Sequence, residues 1–553
     1  MDSSRFLLIT AWFVVLLLLY QAWQADYGSA KPAEGRAATS ATNGAIINGS
    51  NDIPNTRTAA APATPQAAAG STNAPTAKFI RVNTDNYRLH IDLQGGGIVR
   101  AELLNYPVSM KELAQPFVLM DQTDQLLFIT QGGLLSSAGA PTHISEYSAE
   151  LDEYNLQADQ EVLEVPLLWS EGSLMVRKIY VLRRGDYEIG VRYEITNEGT
   201  GPWTGQSYAQ LKRNNPGRSS MLGSYTYTGA VISSPANRYE KISFDNIEKK
   251  ELQQDISNGW VAMIQHYFVT ALIPIDKNAN YHYYTKAQAD GNFAIGAMTP
   301  PITVAPTETK TIQEMMYLGP KLHKVLVNTV DGLELTVDYG SLWVIAKPLF
   351  WCLSRFYQMT NNWGWSIILV TVVLKLIFFP LSSASFRSMA NMRKVQPRML
   401  AIRERYQNDK ARLNQAMVQL YKEEKINPLG GCLPIVVQIP VFFALYKVLL
   451  ETVEMRHSGF IFWLHDLSSP DPYYVLPVLM GITMFVQQKL SPPPPDPLQA
   501  KVMSFMPIMF TGFFFFFQSG LVLYWVVNST LSIIQQWFIT RKLGRPGPQP
   551  KSS

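Results

Sequence analysis

Five apolar runs crowd the C-terminal part of the chain, at residues 363–381, 431–450, 474–488, 502–517 and 519–540. Segments this long and this poor in charge satisfy their backbone polar groups in hydrocarbon only as helices, so they dictate an α-helical membrane bundle. The last four contain no Asp or Glu, whereas the first, WGWSIILVTVVLKLIFFPL, carries Lys375 deep inside it. An ammonium at membrane depth costs at least about 2.5–3.5 kcal/mol even on lenient scales, and it normally faces a wet cavity. With no acid in the other runs to neutralise it, Lys375 reads as a charge left open for something that visits. At 1.5 Å per residue it lies roughly 18 Å below Trp363, in the cytoplasmic half of the bilayer. The competing reading is a lysine that snorkels about two turns to the inner headgroups.

A further apolar run at residues 6–23 precedes a stretch rich in Ala, Thr, Asn, Ser, Gly and Pro. That stretch cannot bury enough apolar surface to offset its ordering entropy and reads as a disordered tether. Arg5 ahead of the apolar core, with Gly28, Ser29 and Ala30 after it, also fits a cleaved signal peptide. The length of the run and its interfacial Tyr20 and Trp23 favour an uncleaved signal anchor.

Charge sets the orientation. Residues 384–430 hold Arg387, Arg393, Lys394, Arg398, Arg403, Arg405, Lys410, Arg412, Lys422 and Lys425 against Glu404, Asp409, Glu423 and Glu424. The positive-inside rule makes that segment cytoplasmic, together with the tail bearing Arg541, Lys542, Arg545 and Lys551. Residues 451–472 carry Glu451, Glu454, Asp466 and Asp471 with Arg456 as the only Lys or Arg, and belong outside. Six spans with both termini cytoplasmic satisfy these assignments and put residues 24 to about 340 in the periplasm. Cys352 and Cys432 then lie near opposite faces and cannot pair, so the outer domain is held by its core alone.

The outer region reads as all-β. Tyr187, Ile189, Val191, Tyr193 and Ile195 alternate with polar residues and Gly190, the mark of a half-buried strand. The turn residues Arg184, Gly185 and Asp186 join it to 176–182 as a hairpin. Further strands are expected at 89–93, 261–273, 281–285 and 302–311, giving a β-sandwich. His90, His143, His266 and His282 lack metal-ligand spacing, and neither HExxH nor GxSxG occurs, so no catalytic residue, metal or cofactor is expected. Tyr225 and Tyr227, or Tyr281, Tyr283 and Tyr284, suit a sugar-binding face, but strand aromatics are more often core.

The expected parse is an anchor at 1–25, a linker at 26–77, the β-sandwich at 78–325 and a connector at 326–360. In that connector, residues 342–359 are aromatic-rich but broken by Lys347, Pro348 and Arg355, which suits a helix lying in the outer interface. Spans follow at 361–383, 431–452, 473–489, 502–518 and 519–540, with loops at 453–472 and 490–501 and a tail at 541–553. In the segment 384–430, the spacing of Met392, Val395, Met399, Ile402 and Tyr406, then of Leu413, Met417 and Leu420, predicts an antiparallel helical hairpin, bent at Pro397. Its Arg393, Lys394, Arg398, Arg403 and Arg405, with Arg541 and Lys542, form either a solvated face or a contact for anionic lipid or ribosomal RNA. Thr371 shares a helical face with Lys375, and Tyr524, Asn528 and Ser532 make a polar stripe on the last span. With Gln438, and with Thr483 and Gln487, these are either interhelical glue or the lining of a hydrophilic groove. Met503, Met506, Met509 and Phe513 offer a flexible apolar surface suited to varied partners.

The blocks LELTVDYG (333–340), NWGWSII (362–368), MANMRKVQPRM (389–399), NPLGGCLPIVVQIPVFFALY (427–446), WLHDLSSPDPYYVLP (463–477) and SGLVLYWVVN (519–528) occur in this order. In them the chain resembles the YidC family of bacterial membrane protein insertases, in the long form with a large periplasmic domain. The resemblance implies a five-span core around a groove open to cytoplasm and lipid and sealed outside, a periplasmic β-sandwich and an N-terminal anchor. It also implies nascent inner-membrane proteins, the Sec translocon and the ribosome as partners; a monomer is expected. Lys375 stands where the family usually has arginine, keeping the charge but losing the bidentate fork. Trp525, counted with the groove residues, stands where the family has a second tyrosine after Tyr524.

Charge and resemblance together point to an insertase without covalent chemistry. Its water-filled groove would draw in polar segments while the apolar span leaves sideways. A small-molecule transporter would show repeated halves and intramembrane acids, neither of which is evident. A membrane-anchored envelope enzyme would need a catalytic set in the β-domain.

Overall fold

The computed structural model describes residues 53–54 and 78–543, apart from 111, 113, 124, 218–225, 408, 425–432 and 492–496. The expected anchor at 1–25, nearly all of the linker and the tail beyond 543 lie outside the described residues. Within the linker, Ile53 packs against Leu135, Tyr208, Tyr284 and Met298.

Alternation at 187–195 becomes the strand Glu188–Asn197, with Ile189, Val191, Tyr193 and Ile195 buried. It pairs antiparallel with Leu174–Arg183 through a turn where Gly185 sits at φ +72°, a conformation that favours glycine. Two expected strands prove to be pairs. Residues 261–273 form the hairpin Trp260–Gln265 and Phe268–Ile273, turning at His266 and Tyr267 without Gly or Pro to mark it. Residues 302–311 divide into Ile302–Val304 and the start of Thr309–Pro320, with Thr307 at φ +62° between them.

The strands make an 11-stranded and a 9-stranded sheet that share one core as a β-sandwich. Long central strands carry the load: Trp203–Asn214 pairs with Leu127–Leu135 and Asn292–Met298 in the first sheet, and Thr309–Pro320 with Glu188–Asn197 and Phe268–Ile273 in the second. Tyr281, Tyr283 and Tyr284 are buried, which is the core reading of those aromatics. Tyr227 donates its hydroxyl hydrogen to Ala230 O, and Tyr225 lies outside the described residues.

Two short helices, α1 (Phe244–Lys249) and α2 (His323–Thr329), belong to this part of the chain. Beyond them α3 (Trp343–Thr360) buries Ala346, Leu349, Phe350 and Leu353 and exposes Trp343, Val344, Trp351 and Met359, a two-faced pattern that suits an interface. Then come α4 (Trp363–Ile377), α5 (Phe379–Arg405), α6 (Lys410–Glu423), α7 (Leu433–Glu451), α8 (Val475–Leu490), α9 (Pro497–Phe514) and α10 (Ser519–Leu543). Asn362 caps α4 by accepting the Trp365 N–H, and Asp409 caps α6 through Ala411 N–H and Arg412 N–H. Helices α5 and α6 close on each other through Val395, Met399 and Leu420.

Among the described residues no single helix is long and apolar enough to cross a membrane; α4 and α5 reach that length and apolarity together, bent by 65°. The break falls at Phe378, ahead of Pro380, which lacks the N–H a continuing helix needs. Asn528, Ser529, Ser532, Gln535 and Gln536 dilute the apolar character of α10.

Within the sandwich core, Lys178 donates to Gly96 O at 2.7 Å and lies 5.4–5.9 Å from the ring centres of Tyr180, Tyr193 and Tyr147. Gly96 sits at φ +59°, a backbone conformation that favours glycine, and a Cβ there would fall 3.1 Å from Leu167 Cδ1 and 3.4 Å from the Lys178 stem. Burial pushes the Lys178 ammonium down to about 8, partly offset by Glu314. Burial also pushes the Glu314 carboxyl up to about 7, opposed by a hydrogen bond from Ser207 and by Lys178. A carboxyl that holds its proton more tightly when folded contributes stability in full below its ordinary value near 4.5, and loses that contribution as pH rises through 7. Thermal unfolding of the β-domain should therefore weaken between pH 5 and 7.5 by an amount on the order of 1–3 kcal/mol, and Glu314→Gln should flatten that slope. An unchanged slope in the Gln variant would show that Glu314 titrates as it does in the unfolded chain.

Candidate functional site

Lys375 occupies the last turn of α4, just before the break. Its Nζ donates to Ser532 Oγ at 2.7 Å, and Ser532 Oγ donates back to Asn528 O at 2.9 Å, one turn earlier on α10. Gln438 on α7 donates from Nε2 to Asn528 Oδ1 at 2.6 Å and to Tyr524 Oη at 3.2 Å. Spacing by four on α10 puts Tyr524, Asn528 and Ser532 on one face, and that face meets α4 on one side and α7 on the other. One cleft gathers Lys375, Gln438, Tyr524 and Asn528, walled by Leu374, Phe378, Leu381, Ser382, Pro434 and Val441. Among the described residues no carboxylate lines it.

The cleft leaves about 20 Å³ of free space, room for roughly one water, and its polar side chains bond to one another.

Two expected members stand apart. Thr371 donates to Ile367 O at 2.6 Å on its own helix and is fully buried, as threonine often does when no partner faces it. Trp525 turns to the aromatic packing, with its ring centre 5.0 Å from Phe442 and 5.6 Å from Phe514. Thr483 likewise donates to Met480 O within α8. Residues the sequence reading missed extend the polar strip toward the α4–α5 break: Gln535 donates to Phe379 O at 3.4 Å, and Ser382 and Ser529 are buried. The signal was available in the same spacing, since Gln535 lies three residues beyond Ser532.

On α9, Met503, Met509 and Phe513 are exposed and Met506 is half-buried, beside exposed Phe505 and Ile508. Arg393, Lys394, Arg398 and Arg405 are exposed on α5 and Arg403 is half-exposed; Arg398 pairs with Glu424. Arg541 lies over the Trp537 ring, and the side chain of Lys542 is outside the described residues.

At the end of the bundle nearest the β-domain, the connection between α7 and α8 folds over the helices. Asp466 accepts from His457 N, Ser468 N, Ser468 Oγ and Ser469 Oγ, and Asp471 accepts from Trp463 Nε1, Tyr473 N and Leu476 N. These two carboxylates hold the loop so that Leu467 O and Ser469 O receive the first N–H groups of α10, from Gly520 and Ser519. Phe460 lies against Gly364 of α4, where a Cβ would fall 2.1 Å from its ring. The polar groups of that loop are thus committed to one another and to α10, and Lys375 lies at the opposite end of α4 from Gly364.

Two family models divide the chain between them: "YidC periplasmic domain" matches residues 79–352 and "60Kd inner membrane protein" matches 355–545. A "Membrane protein insertase YidC" from Methylococcus capsulatus is 48% identical over 98% of this chain and 99% of its own length. One of the same name from Nitrosococcus oceani is 45% identical over 99% of this chain and 100% of its own. The crystal structure of an active YidC insertase aligns over 83% of this chain and 92% of that one, at 19% identity and a TM-score of 0.40. The chain belongs to the YidC family of membrane protein insertases of the bacterial inner membrane, with a periplasmic β-sandwich domain ahead of a helical C-terminal region. Those relatives are named as insertases and not as enzymes.

The cleft's hydrogen bonds make a stability prediction. Gln438→Leu keeps the volume but strips the donor from Asn528 and Tyr524, and should cost about 0.5–2 kcal/mol. Unfolding of the purified protein in detergent measures this, and a variant as stable as wild type would mean that the two α10 groups find other partners.

Proposed function

We propose that the chain passes transmembrane segments of nascent proteins into the inner membrane along the cleft of α4, α7 and α10. The observation that carries this reading is the convergence of Lys375, Ser532, Asn528, Gln438 and Tyr524 in an otherwise apolar bundle, in a chain whose relatives are insertases along nearly their whole length. At rest these groups satisfy one another. A polar or acidic stretch of substrate would exchange places with Ser532 on the Lys375 ammonium and with Asn528 on Gln438, so that it crosses hydrocarbon without losing hydrogen bonds. The cleft must widen for this, since its free space is far below a polypeptide's width. The apolar part of the substrate would leave along the exposed Met503, Met509 and Phe513 face of α9, with Met506 behind it. Thr371 and Trp525 fit supporting roles in the walls better than direct contact.

The same reading takes six spans, with both termini and the α5–α6 hairpin in the cytoplasm. It takes the basic surface of Arg393, Lys394, Arg398, Arg403, Arg405, Arg541 and Lys542 as a contact for ribosomal RNA or anionic lipid, and the Sec translocon as a partner of a monomeric insertase. Topology is testable in a cysteine-free background: a cysteine at His465, exposed in the α7–α8 loop, should react with an impermeant thiol reagent from the periplasm, and one at Ala401, exposed on α5, should react only after the membrane is opened. Reaction of both from outside would overturn the six-span arrangement.

The charge is tested by substitution. At an effective dielectric near 20, a unit charge a few ångströms from an acidic segment is worth several kcal/mol before desolvation, so Lys375→Ala should slow insertion of acidic substrates roughly tenfold or more. Lys375→Arg should retain activity, and Lys375→Glu should be worst because it repels the same segments. Equal insertion by the Ala variant and wild type, across acidic and neutral substrates at matched protein levels, would remove Lys375 from the mechanism.

A further inference from the structure

The β-domain and the bundle are joined by buried polar contacts that neither the cleft nor the family assignment explains. Lys321, at the end of the last long strand of the sandwich, is 2% exposed, and Glu451, the last residue of α7, is 3% exposed. Lys321 Nζ lies 3.3 Å from Glu451 Oε2 and donates to Thr336 O at 3.2 Å, so one ammonium ties strand, connector and helix together. Around it, His266 at the Trp260–Ile273 hairpin turn donates from Nε2 to Leu450 O at 2.8 Å. Burial pushes that imidazole down to about 4, so it is the neutral N–H form that donates. Glu454 accepts the His323 N–H at 3.3 Å, and Arg456 donates to Pro107 O at 2.8 Å while lying over the rings of Phe117, Tyr267 and Phe268. Arg238 and Lys241 in the β-domain pair with Asp331 and Asp338 in the connector.

Apart from the two more exposed pairs with the connector, these contacts converge on one end of one helix. Leu450, Glu451, Glu454 and Arg456 all lie at or just past the end of α7, the helix that carries Gln438 into the cleft, and Val448 and Leu449 beside them are buried. We propose that the Lys321–Glu451 pair is a latch that fixes the periplasmic end of α7 to the β-domain, making both residues positioning residues for the cleft. A buried pair is a poor source of net stability, yet removing one partner strands the other charge, so it acts as a register device: either both are docked or neither is. Lys447, one turn earlier on α7, is a second cation near Glu451, and His266 of the β-domain lies within its field as well.

The inference rests on the reading of the cleft as the insertion path, and its test separates the two. In a full-length protein without native cysteines, Val448→Cys is fully buried and serves as a reporter. Lys321→Met should raise its labelling by a periplasmic thiol reagent at least tenfold and lower insertion severalfold at matched protein levels. The double variant Lys321→Met with Glu451→Met, which removes both charges and keeps apolar volume, should restore protection and most of the insertion. Labelling unchanged by Lys321→Met would sink the latch. Labelling raised with insertion intact would leave a structural joint and overturn the positioning role. A double variant as labelled and as impaired as the single would overturn the pairing. If the latch variants behave as expected while Lys375→Ala is silent, the latch stands and the Lys375 charge leaves the mechanism.

Discussion

A cation set in an apolar bundle has to be supplied with oxygen atoms by helices that otherwise have no reason to approach it, and the helical region is organised around that need. Lys375 receives Ser532 Oγ, Ser532 leans on Asn528 O, and Asn528 and Tyr524 receive Gln438. Three helices distant in sequence are thereby placed in register by hydrogen bonds, where apolar contacts alone allow them to slide, since lipid tails offer no hydrophobic driving force between helices. An ammonium served by one neutral hydroxyl is still poorly solvated compared with water. That leaves a carboxylate or a polar backbone a better partner than the one it has, which is the condition the proposed exchange with a passing segment would need.

In the proposed insertion path, polar groups committed at one end would make this exchange directional. Asp466 and Asp471 consume the N–H and O–H groups of their own loop and leave Leu467 O and Ser469 O to cap α10, so the end near the β-domain has its polar groups committed. The polar strip instead continues past Lys375 through Ser382 and Gln535 toward the bend between α4 and α5. The 65° bend there turns α5 away from the line of α4.

Much of this was legible in the chain because it is written in local periodicity. The strand 188–197, its hairpin and the stripe of Tyr524, Asn528 and Ser532 each repeat within ten residues, and the isolated charge of Lys375 stood out against its surroundings. The parts that were not legible depend on pairing across the fold. Nothing near Lys321 announces Glu451, 130 residues away. The turn at His266 and Tyr267 lacks turn residues, so an all-buried hairpin looked like one long strand. Lys178 was readable in principle, since it alternates in phase with Val176 and Tyr180 on the inward face, but its partner Glu314 comes from a strand more than a hundred residues on. Thr371 was placed on the right face and still missed the cleft, because its hydroxyl is satisfied by its own helix.

Helix α7 carries both kinds of constraint. From Glu451 to Gln438 is 13 residues, roughly 20 Å of helix, so a fixed end and a cleft contact lie on one rod. Pro440 interrupts that rod two residues from Gln438, removing an N–H and freeing the carbonyl of Val436, which is where a helix bends most readily. Under the proposed latch and insertion path, a rod held at the β-domain and interrupted beside Gln438 would keep its packed half in place, with Ala444, Leu445 and Val448 buried, while the turns ahead of Pro440 would part from α10. Widening of the cleft would then require breaking the Gln438 bonds and not the core. That is consistent with a site whose polar groups are paired to each other at rest and are few enough to be exchanged.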